Sequence, residues 1–154
     1  MDFNQELNDI KTQINQSLNK INNTSTNKLL LHIQNNTGKL LRPLLLILCI
    51  EWLKKAPLTK QEYQNMINIA VTIELLHTAS LIHDDIIDNS ELRRSKETIN
   101  KKFGNENAVT MGTYLYARSL NEISKINNIE IIKKLANTVE SMCNGELKQL
   151  NSRK

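Results

Sequence analysis

Hydrophobic residues recur every three or four positions along most of this 154-residue chain, which is the spacing of amphipathic α-helices. The first such stretch predicts a helix near the N-terminus. Its apolar face carries Leu7, Ile10, Ile14, Leu18 and Ile21. A second, short helical segment is predicted over residues 28–34, and the polar residues 35–38 interrupt the pattern after it. The N-terminal quarter therefore predicts two helices and a break.

The rest of the chain predicts four further helices. One spans residues 42–53, with Pro43 tolerated in its first turn. The next follows Thr59, whose spacing from Glu62 predicts a capping box, and continues to about residue 88. One face of this long helix carries Leu75, Ala79, Ile82 and Ile86. The polar residues 89–102 predict a loop or a broken helix, and helices follow over 106–126 and 129–150. We expect one all-α domain over residues 1–154.

Composition narrows the class of protein. Only four Gly and two Pro argue against a β-sandwich or barrel, and six aromatic residues are too few for a single-stranded nucleic-acid platform. The net charge of +4 forms no long basic block, so no nucleic acid is expected as a partner. The longest strictly apolar run has seven residues, and the polar N-terminus does not resemble a secretory signal. Cys49 and Cys143 lie far apart in apolar helical patterns, which indicates buried thiols in the cytoplasm.

Three aspartates near the end of the long predicted helix are the strongest chemical signal. Asp84 and Asp88 are four residues apart and Asp85 lies three before Asp88, so the carboxylates converge on one side of the helix. One interpretation is an acidic, solvated helix end. Against it, like charges at this spacing repel and oppose the negative end of the helix dipole. A divalent cation reverses that cost, and Mg²⁺ prefers carboxylate and phosphate oxygens.

Two pairs of cations accompany the aspartates. Arg93 and Arg94 are either a solvated patch or contacts to phosphate oxygens that a metal also binds. Lys39 and Arg42 flank a predicted helix start, where positive charge gains no stability from the dipole but suits an anion site. A structural interpretation of that segment stays open. His77 lies two turns before Asp84, so it is either a core histidine or part of the same site.

The ordered set of these residues resembles the trans-isoprenyl (polyprenyl) diphosphate synthase family. The matching segments are Gly38-Lys39 with Arg42-Pro43, the run from Glu74 to Asp88, and Arg93-Arg94. Weaker matches are Gly112 with Tyr114 to Arg118, and Gly145-Glu146-Leu147 with Gln149. The resemblance covers essentially the whole chain.

The resemblance implies an isoprenoid-synthase-type helical bundle around a deep cavity. It implies that Asp84 and Asp88 hold Mg²⁺ against an allylic diphosphate, with Asp85 a less certain participant. It implies further that Arg93 contacts the allylic diphosphate. The diphosphate of isopentenyl diphosphate would be held by Lys39, Arg42, His77 and Arg94. The small residues Ala79 and Ser80 resemble those of long-chain synthases, which implies an octaprenyl-type product for a quinone side chain.

The chain also departs from the family pattern. No second aspartate-rich motif follows Asp88, since no Asp occurs after it, and family members are about twice as long. Thr37 and Thr113 replace a Gly and an Asp that are common in the family. We therefore expect an incomplete bundle, corresponding to the N-terminal half, that exposes an apolar face and is inactive in isolation. Its expected partner is a second copy or a complementary C-terminal-half chain. The alternatives are a non-catalytic helical subunit or an inactive remnant.

Overall fold

A computed structural model describes residues 3–18, 24–36 and 38–152 of the chain. Within these residues the fold is seven α-helices and one small antiparallel hairpin. The helices are α1 (Asn4–Leu18), α2 (Thr24–Gln34), α3 (Leu41–Leu53), α4 (Lys60–Ile87), α5 (Ile99–Phe103), α6 (Asn105–Ser124) and α7 (Ile129–Ser152). The hairpin pairs β1 (Leu92–Arg93) with β2 (Lys96–Glu97). The expectation of an all-α fold is confirmed.

The central element is α4, which packs against α1, α3, α5 and most extensively α6. Its predicted start is confirmed, because the Thr59 side chain accepts from the backbone N–H of Glu62 while the Glu62 side chain accepts from the backbone of Thr59. Of its predicted apolar face, Leu75, Ala79 and Ile82 are buried. The helix therefore forms the core around which the others assemble.

One of the described helices, α4, is long enough and apolar enough in composition to cross a membrane. More than half of its apolar window, 56%, is buried inside the protein. Burial of this kind is what the core helix of a globular domain shows.

Two N-terminal predictions need adjustment. The helix α1 ends at Leu18, and Ile21, which the pattern places on its apolar face, lies outside the described residues. The helix α2 begins at Thr24, four residues before the predicted start. The polar residues 24–27 carry no apolar periodicity, so the pattern alone did not reveal this first turn.

The prediction of a loop or broken helix over residues 89–102 was wrong in its detail. The segment forms the hairpin and then the start of α5. Arg94 and Ser95 both have positive φ, 51° and 62°, which is the backbone of the two-residue turn that closes a hairpin. Asn-Gly, the usual sequence signal for such a turn, is absent, so the hairpin could not be identified from its residues.

A buried polar cluster ties α1 to α4 and α6. Glu122 on α6 is fully buried and accepts hydrogen bonds from Ser17 at 2.5 Å and from Gln13 at 3.0 Å. Gln13 also donates to Asn68 on α4 at 2.7 Å. Lys125 pairs with the same Glu122 carboxylate. These bonds satisfy polar groups that would otherwise be costly to bury.

Large apolar side chains remain exposed, as expected for an incomplete bundle. On α3 they form what we call the α3 surface: Leu41, Leu45, Leu48, Trp52 and Leu53. Trp52 is 89% exposed. The helix α7 is amphipathic but buries none of its residues. Two faces of the described structure therefore present apolar surface without cover.

The expectation of buried thiols was wrong. Both Cys49 on α3 and Cys143 on α7 are exposed. Each lies in an apolar helical pattern, but the apolar sides of these two helices are the ones left uncovered. The pattern identified apolar faces correctly and could not say whether another element packs on them.

Candidate functional site

A cavity of about 500 Å³ lies between the start of α3, the second half of α4 and the hairpin. Basic residues from these separate segments line it together: Lys39, Arg42, His77, Arg93, Arg94 and Lys96. Its carboxylates include Glu74 and Asp85. All five basic residues that the sequence analysis assigned to substrate binding thus lie in one cavity. A cluster of positively charged side chains like this one suits a multiply charged anion.

The loop before α3 brings backbone close to the hairpin. Leu40 is buried with a left-handed backbone, φ 51°, and so turns the chain sharply into α3. Two residues earlier, a Cβ at Gly38 would lie 2.7 Å from Nη1 and 2.9 Å from Nη2 of Arg94. The guanidinium of Arg94 therefore occupies the space that any larger residue at position 38 would need.

Two side chains of α4 face these cations. Glu74 and His77, three residues apart on the same side of the helix, both line the cavity. Burial raises the pKa of the Glu74 carboxyl, and the charges of Arg42 and Arg94 oppose that rise. Burial lowers the pKa of His77, and the same two arginines with Arg93 lower it further. His77 is therefore neutral at neutral pH and can donate one hydrogen bond to an anion.

Glu74 belongs to the site although the sequence analysis gave it no role. Its spacing from His77 was the available signal, because residues three apart share a helix face. The negative charge of Glu74 offsets part of the repulsion between Arg42 and Arg94. Its position toward Arg42 and Arg94 depends on how α3 and the hairpin dock, which the chain pattern did not specify.

The three aspartates are divided between two environments. Asp84 is partly exposed and Asp88 is exposed, and neither lines the cavity. Asp85 is 5% exposed and faces the cavity, where it forms an ion pair with Arg93. Among the described residues no three His, Cys, Asp or Glu side chains come together in a group that could hold a metal ion. Asp84 and Asp88 alone offer a partial set of oxygen ligands.

The carboxylate of Glu146 lies close enough to Asp84 to affect its charge, although the sequence analysis named Glu146 only as part of a weak family match. Burial raises the pKa of Asp84, and Glu146 on α7 raises it further. Arg93 lowers it, while Asp88 and Asp85 add smaller rises. A carboxyl whose ionised form is disfavoured in this way gains from a bound cation. Mg²⁺ is commonly bound by one or two carboxylates and completed by substrate phosphates, so the donor set fits this metal.

Together these features define an all-helical protein with a cationic cavity beside an aspartate-bearing helix end. Comparison with known proteins agrees with that class. The polyprenyl synthetase family matches residues 23–154. The chain therefore belongs to the polyprenyl synthetase family.

Two curated relatives are long-chain synthases. The chain is 37% identical over 123 residues to heptaprenyl diphosphate synthase component 2 of Geobacillus stearothermophilus, covering 80% of this chain and 37% of that protein. It is 34% identical over 119 residues to octaprenyl diphosphate synthase of Haemophilus influenzae, covering 77% and 34%. The chain thus spans little more than a third of the length of these relatives.

Structural similarity extends over nearly all of the chain. A polyprenyl synthase from Caulobacter crescentus, complexed with calcium and isoprenyl diphosphate, superimposes with a TM-score of 0.85 at 25% identity. The match covers 96% of this chain and 43% of that one. The fold is therefore that of the corresponding part of an isoprenoid synthase.

Proposed function

We propose that the chain serves a prenyltransferase that condenses isopentenyl diphosphate with an allylic diphosphate into a long-chain trans-polyprenyl diphosphate. The observation that carries the proposal is the convergence of Lys39, Arg42, His77, Arg93 and Arg94 on one cavity. Lys39 lies just before α3, Arg42 on α3, His77 on α4, and Arg93 and Arg94 in the hairpin. Bringing the four charged side chains together costs stability through mutual repulsion, which a bound anion relieves.

In this proposal the chain's own residues bind and orient the two substrates. Lys39, Arg42, His77 and Arg94 hold the diphosphate of isopentenyl diphosphate, and Arg93 contacts the allylic diphosphate. The reaction breaks the allylic carbon–oxygen bond and releases diphosphate. The isopentenyl double bond attacks the resulting allylic cation to form the new carbon–carbon bond, and the condensed cation loses a proton, which the released diphosphate can accept. Positioning and neutralisation of charge are the protein's contribution to such a reaction.

The metal would be held by Asp84 and Asp88. Both lie at the C-terminal end of α4, and Asp85 beside them is already paired with Arg93. A bound Mg²⁺ would neutralise charge on the departing diphosphate. The calcium and isoprenyl diphosphate of the Caulobacter structure support this assignment by similarity.

For product length we propose an octaprenyl-type chain for a quinone. The names of the curated relatives support a long chain. Neither Ala79 nor Ser80 lines the described cavity; Ala79 is 3% exposed in the helix-packing core, whereas Ser80 is partly exposed and has room for a larger side chain. Ser80 is therefore the better position to test, and Ser80→Phe should shorten the product of an active assembly.

We further propose that the chain acts in the cytoplasm with a second polypeptide, either a second copy or a complementary C-terminal-half chain. The uncovered α3 surface and α7 support a partner. One relative is named as a component of its synthase, which also favours a complex.

A non-catalytic helical subunit is the second candidate function. Thr113, which stands where the family commonly has Asp, favours it. Such a subunit has no physical need for the cationic cavity, so binding of isopentenyl diphosphate separates the two candidates. An inactive remnant would likewise have no reason to keep ligand affinity.

The test is thermal unfolding with isopentenyl diphosphate, and with an allylic diphosphate plus Mg²⁺. A ligand at a hundred times its Kd stabilises by about 2.7 kcal/mol, which raises Tm by about 5–10 °C for a chain of this size. Arg42→Gln should remove most of the rise given by isopentenyl diphosphate. Lys60→Gln removes the same charge from an exposed position outside the cavity and should preserve it. An unchanged wild-type Tm, or equal losses in both variants, would contradict the proposal.

A further inference from the structure

The ion pair between Asp85 and Arg93 joins the two side chains at the cavity through three short nitrogen–oxygen contacts. Arg93 Nε donates to Oδ1 at 2.9 Å and to Oδ2 at 3.0 Å, and Nη2 lies 2.8 Å from Oδ1. Two nitrogens of one guanidinium thus bind one carboxylate side-on. Such two-point pairs fix orientation as well as charge.

The backbone around this pair is also held in place. The carbonyl oxygen of Asp85 accepts from the backbone N–H of Ser90 at 2.9 Å and from the Asn100 side chain at 3.3 Å. Asn100 and Thr98 both donate to the carbonyl of Ser90, at 3.0 and 2.8 Å. The end of α4, the segment leading to the hairpin and the start of α5 are therefore tied together, and Arg93 extends from an anchored strand.

The pair leaves part of the guanidinium available. Among the residues that the structure describes, Nη1 of Arg93 makes no hydrogen bond to the Asp85 carboxylate, and the Arg93 side chain is 39% exposed at the cavity. Asp85, by contrast, has a side chain only 7% exposed. The carboxylate is therefore turned inward to the arginine, while Asp84 and Asp88 are more open to solvent.

We infer that Asp85 is a positioning residue, which acts through Arg93 by aiming its Nη1 group at a diphosphate in the cavity. The inference rests on the proposed function, because it assigns how one predicted diphosphate contact is held. The three aspartates then have different roles, since Asp84 and Asp88 would hold the proposed metal whereas Asp85 orients an arginine. No metal takes part in the role of Asp85.

Charge-conserving variants separate this role from simple charge balance. Asp85→Glu keeps the carboxylate but moves it by one methylene, and Arg93→Lys keeps the cation but loses the planar fork. The probe is inorganic pyrophosphate, titrated calorimetrically into the full chain in EDTA so that no metal contributes. Glu91→Asp is the matched control, because Glu91 pairs with Lys101 at 2.7 Å near the same hairpin but is largely exposed.

We expect Asp85→Glu and Arg93→Lys each to weaken pyrophosphate binding about tenfold, with Tm within a few degrees of wild type. In the Arg93→Lys background, Asp85→Glu should cause no further loss, because the orientation it would disturb is already gone. Glu91→Asp should change affinity less than twofold. Unchanged affinity in Asp85→Glu, or equal losses with and without Arg93, overturns the inference alone.

A second measurement keeps the inference testable if Asp85→Glu does not fold. In ¹⁵N NMR spectra, the Nε–H of Arg93 should exchange slowly with solvent in the wild type and at least tenfold faster in Asp85→Asn, while the Arg42 signal stays unchanged. Unaltered exchange at Arg93 overturns the inference. Failure of the wild type to bind pyrophosphate at all would instead overturn the proposed function, and the inference with it.

Discussion

Gly112 lies on α6 where the imidazole of His83 crosses from α4, and the two helices approach closely there. A Cβ at this position would overlap the imidazole, with Cδ2 of His83 only 2.7 Å away. Gly145 on α7 has no atom within 4 Å of the corresponding point. Alanine at position 112 would therefore have to displace the His83 side chain, whereas Gly145 meets no such contact and only costs helix propensity.

We predict opposite effects of alanine at these two glycines. Gly112→Ala should lower the free energy of unfolding by about 1–3 kcal/mol, because α4 and α6 must separate or His83 must move. Gly145→Ala should raise the free energy of unfolding by about 0.5–1 kcal/mol, because alanine favours the helical backbone of α7 more than glycine does. Urea denaturation followed by circular dichroism measures both. Similar effects at both positions would show that the His83 ring moves aside for alanine at position 112 with little loss of stability.

Ser95 carries a left-handed backbone in the turn that presents Arg93 and Arg94 to the cavity. A non-glycine residue in that region pays about 1–2 kcal/mol relative to an ordinary backbone. We predict that Ser95→Gly stabilises the protein by about 1 kcal/mol, part of the relief being lost to the greater freedom of glycine in the unfolded chain.

The control for this turn is the same replacement in a helix. Ser141 is exposed in the middle of α7, so Ser141→Gly should destabilise by about 0.5–1 kcal/mol. Differential scanning calorimetry of the two variants gives the sign of each change. A lower Tm for Ser95→Gly would mean that the serine side chain, rather than its backbone, matters in the turn.

At the scale of elements, α1 is held on α4 and α6 by the cluster around Glu122. Burial by itself would raise the pKa of this carboxyl, but the hydrogen bonds from Lys125, Ser17 and Gln13 outweigh it, so the pKa lies below its ordinary value of 4.5. The folded protein consequently binds a proton at Glu122 less readily than the unfolded chain does. The polar cluster around Glu122 is therefore most stabilising when Glu122 is ionised.

This gives a pH dependence with a definite sign. The stabilisation from Glu122 is fully present above about pH 4.5 and declines as the pH falls below that value through the lowered folded-state pKa. Glu122→Gln should cost about 1–3 kcal/mol near neutral pH, because it weakens the buried hydrogen bonds from Ser17 and Gln13 and removes the pair with the half-exposed Lys125, and it should flatten the acid side of the stability curve.

Glu130→Gln serves as the control for the charge change. Glu130 pairs with Lys133 on the surface of α7, with 69% of its side chain exposed, so its removal should cost less than about 0.5 kcal/mol. Stability against urea measured from pH 3 to pH 8 compares the variants. A wild-type acid limb retained in Glu122→Gln would contradict the role assigned to this cluster.

At the scale of the whole molecule, α3 packs on the core with one side and exposes apolar residues on the other, while α7 buries none of its residues. A helix that is apolar all round is normally buried. The α3 surface places four large side chains, Leu41, Leu45, Leu48 and Trp52, at the spacing of one helix face. Apolar area of this kind promotes association or binding of a partner.

We predict that the isolated chain self-associates with rising concentration and binds an apolar dye. Leu45→Gln with Trp52→Gln should reduce both, with little change in Tm, because the two side chains are 62% and 89% exposed. Leu31→Gln, at a residue 54% exposed on α2, is the control and should leave association unaltered. Sedimentation velocity measures the outcome. A wild type that stays monomeric at all concentrations would contradict the prediction.

Local patterns were sufficient for the helices and for the identity of the chemical residues. The periodicity and density of apolar residues located α3, α4, α6 and α7 to within a few residues, and the Thr59 capping box was visible as a spacing of three. The basic and acidic residues were recognisable because such charges at helix ends have no local stabilising role. These features depend on neighbours along the chain, so the sequence contains them directly.

What the tertiary structure decided depends on contacts between distant segments. Only docking of the hairpin on α4 shows that Asp85 is buried against Arg93 while Asp84 and Asp88 are more exposed to solvent, since all three aspartates share one local pattern. Docking of α3 likewise places Arg42 by Glu74, and packing of α6 brings His83 against Gly112. Cys49 and Cys143 are exposed for the same reason, because burial depends on what covers a face, and a helix pattern carries no information about its cover.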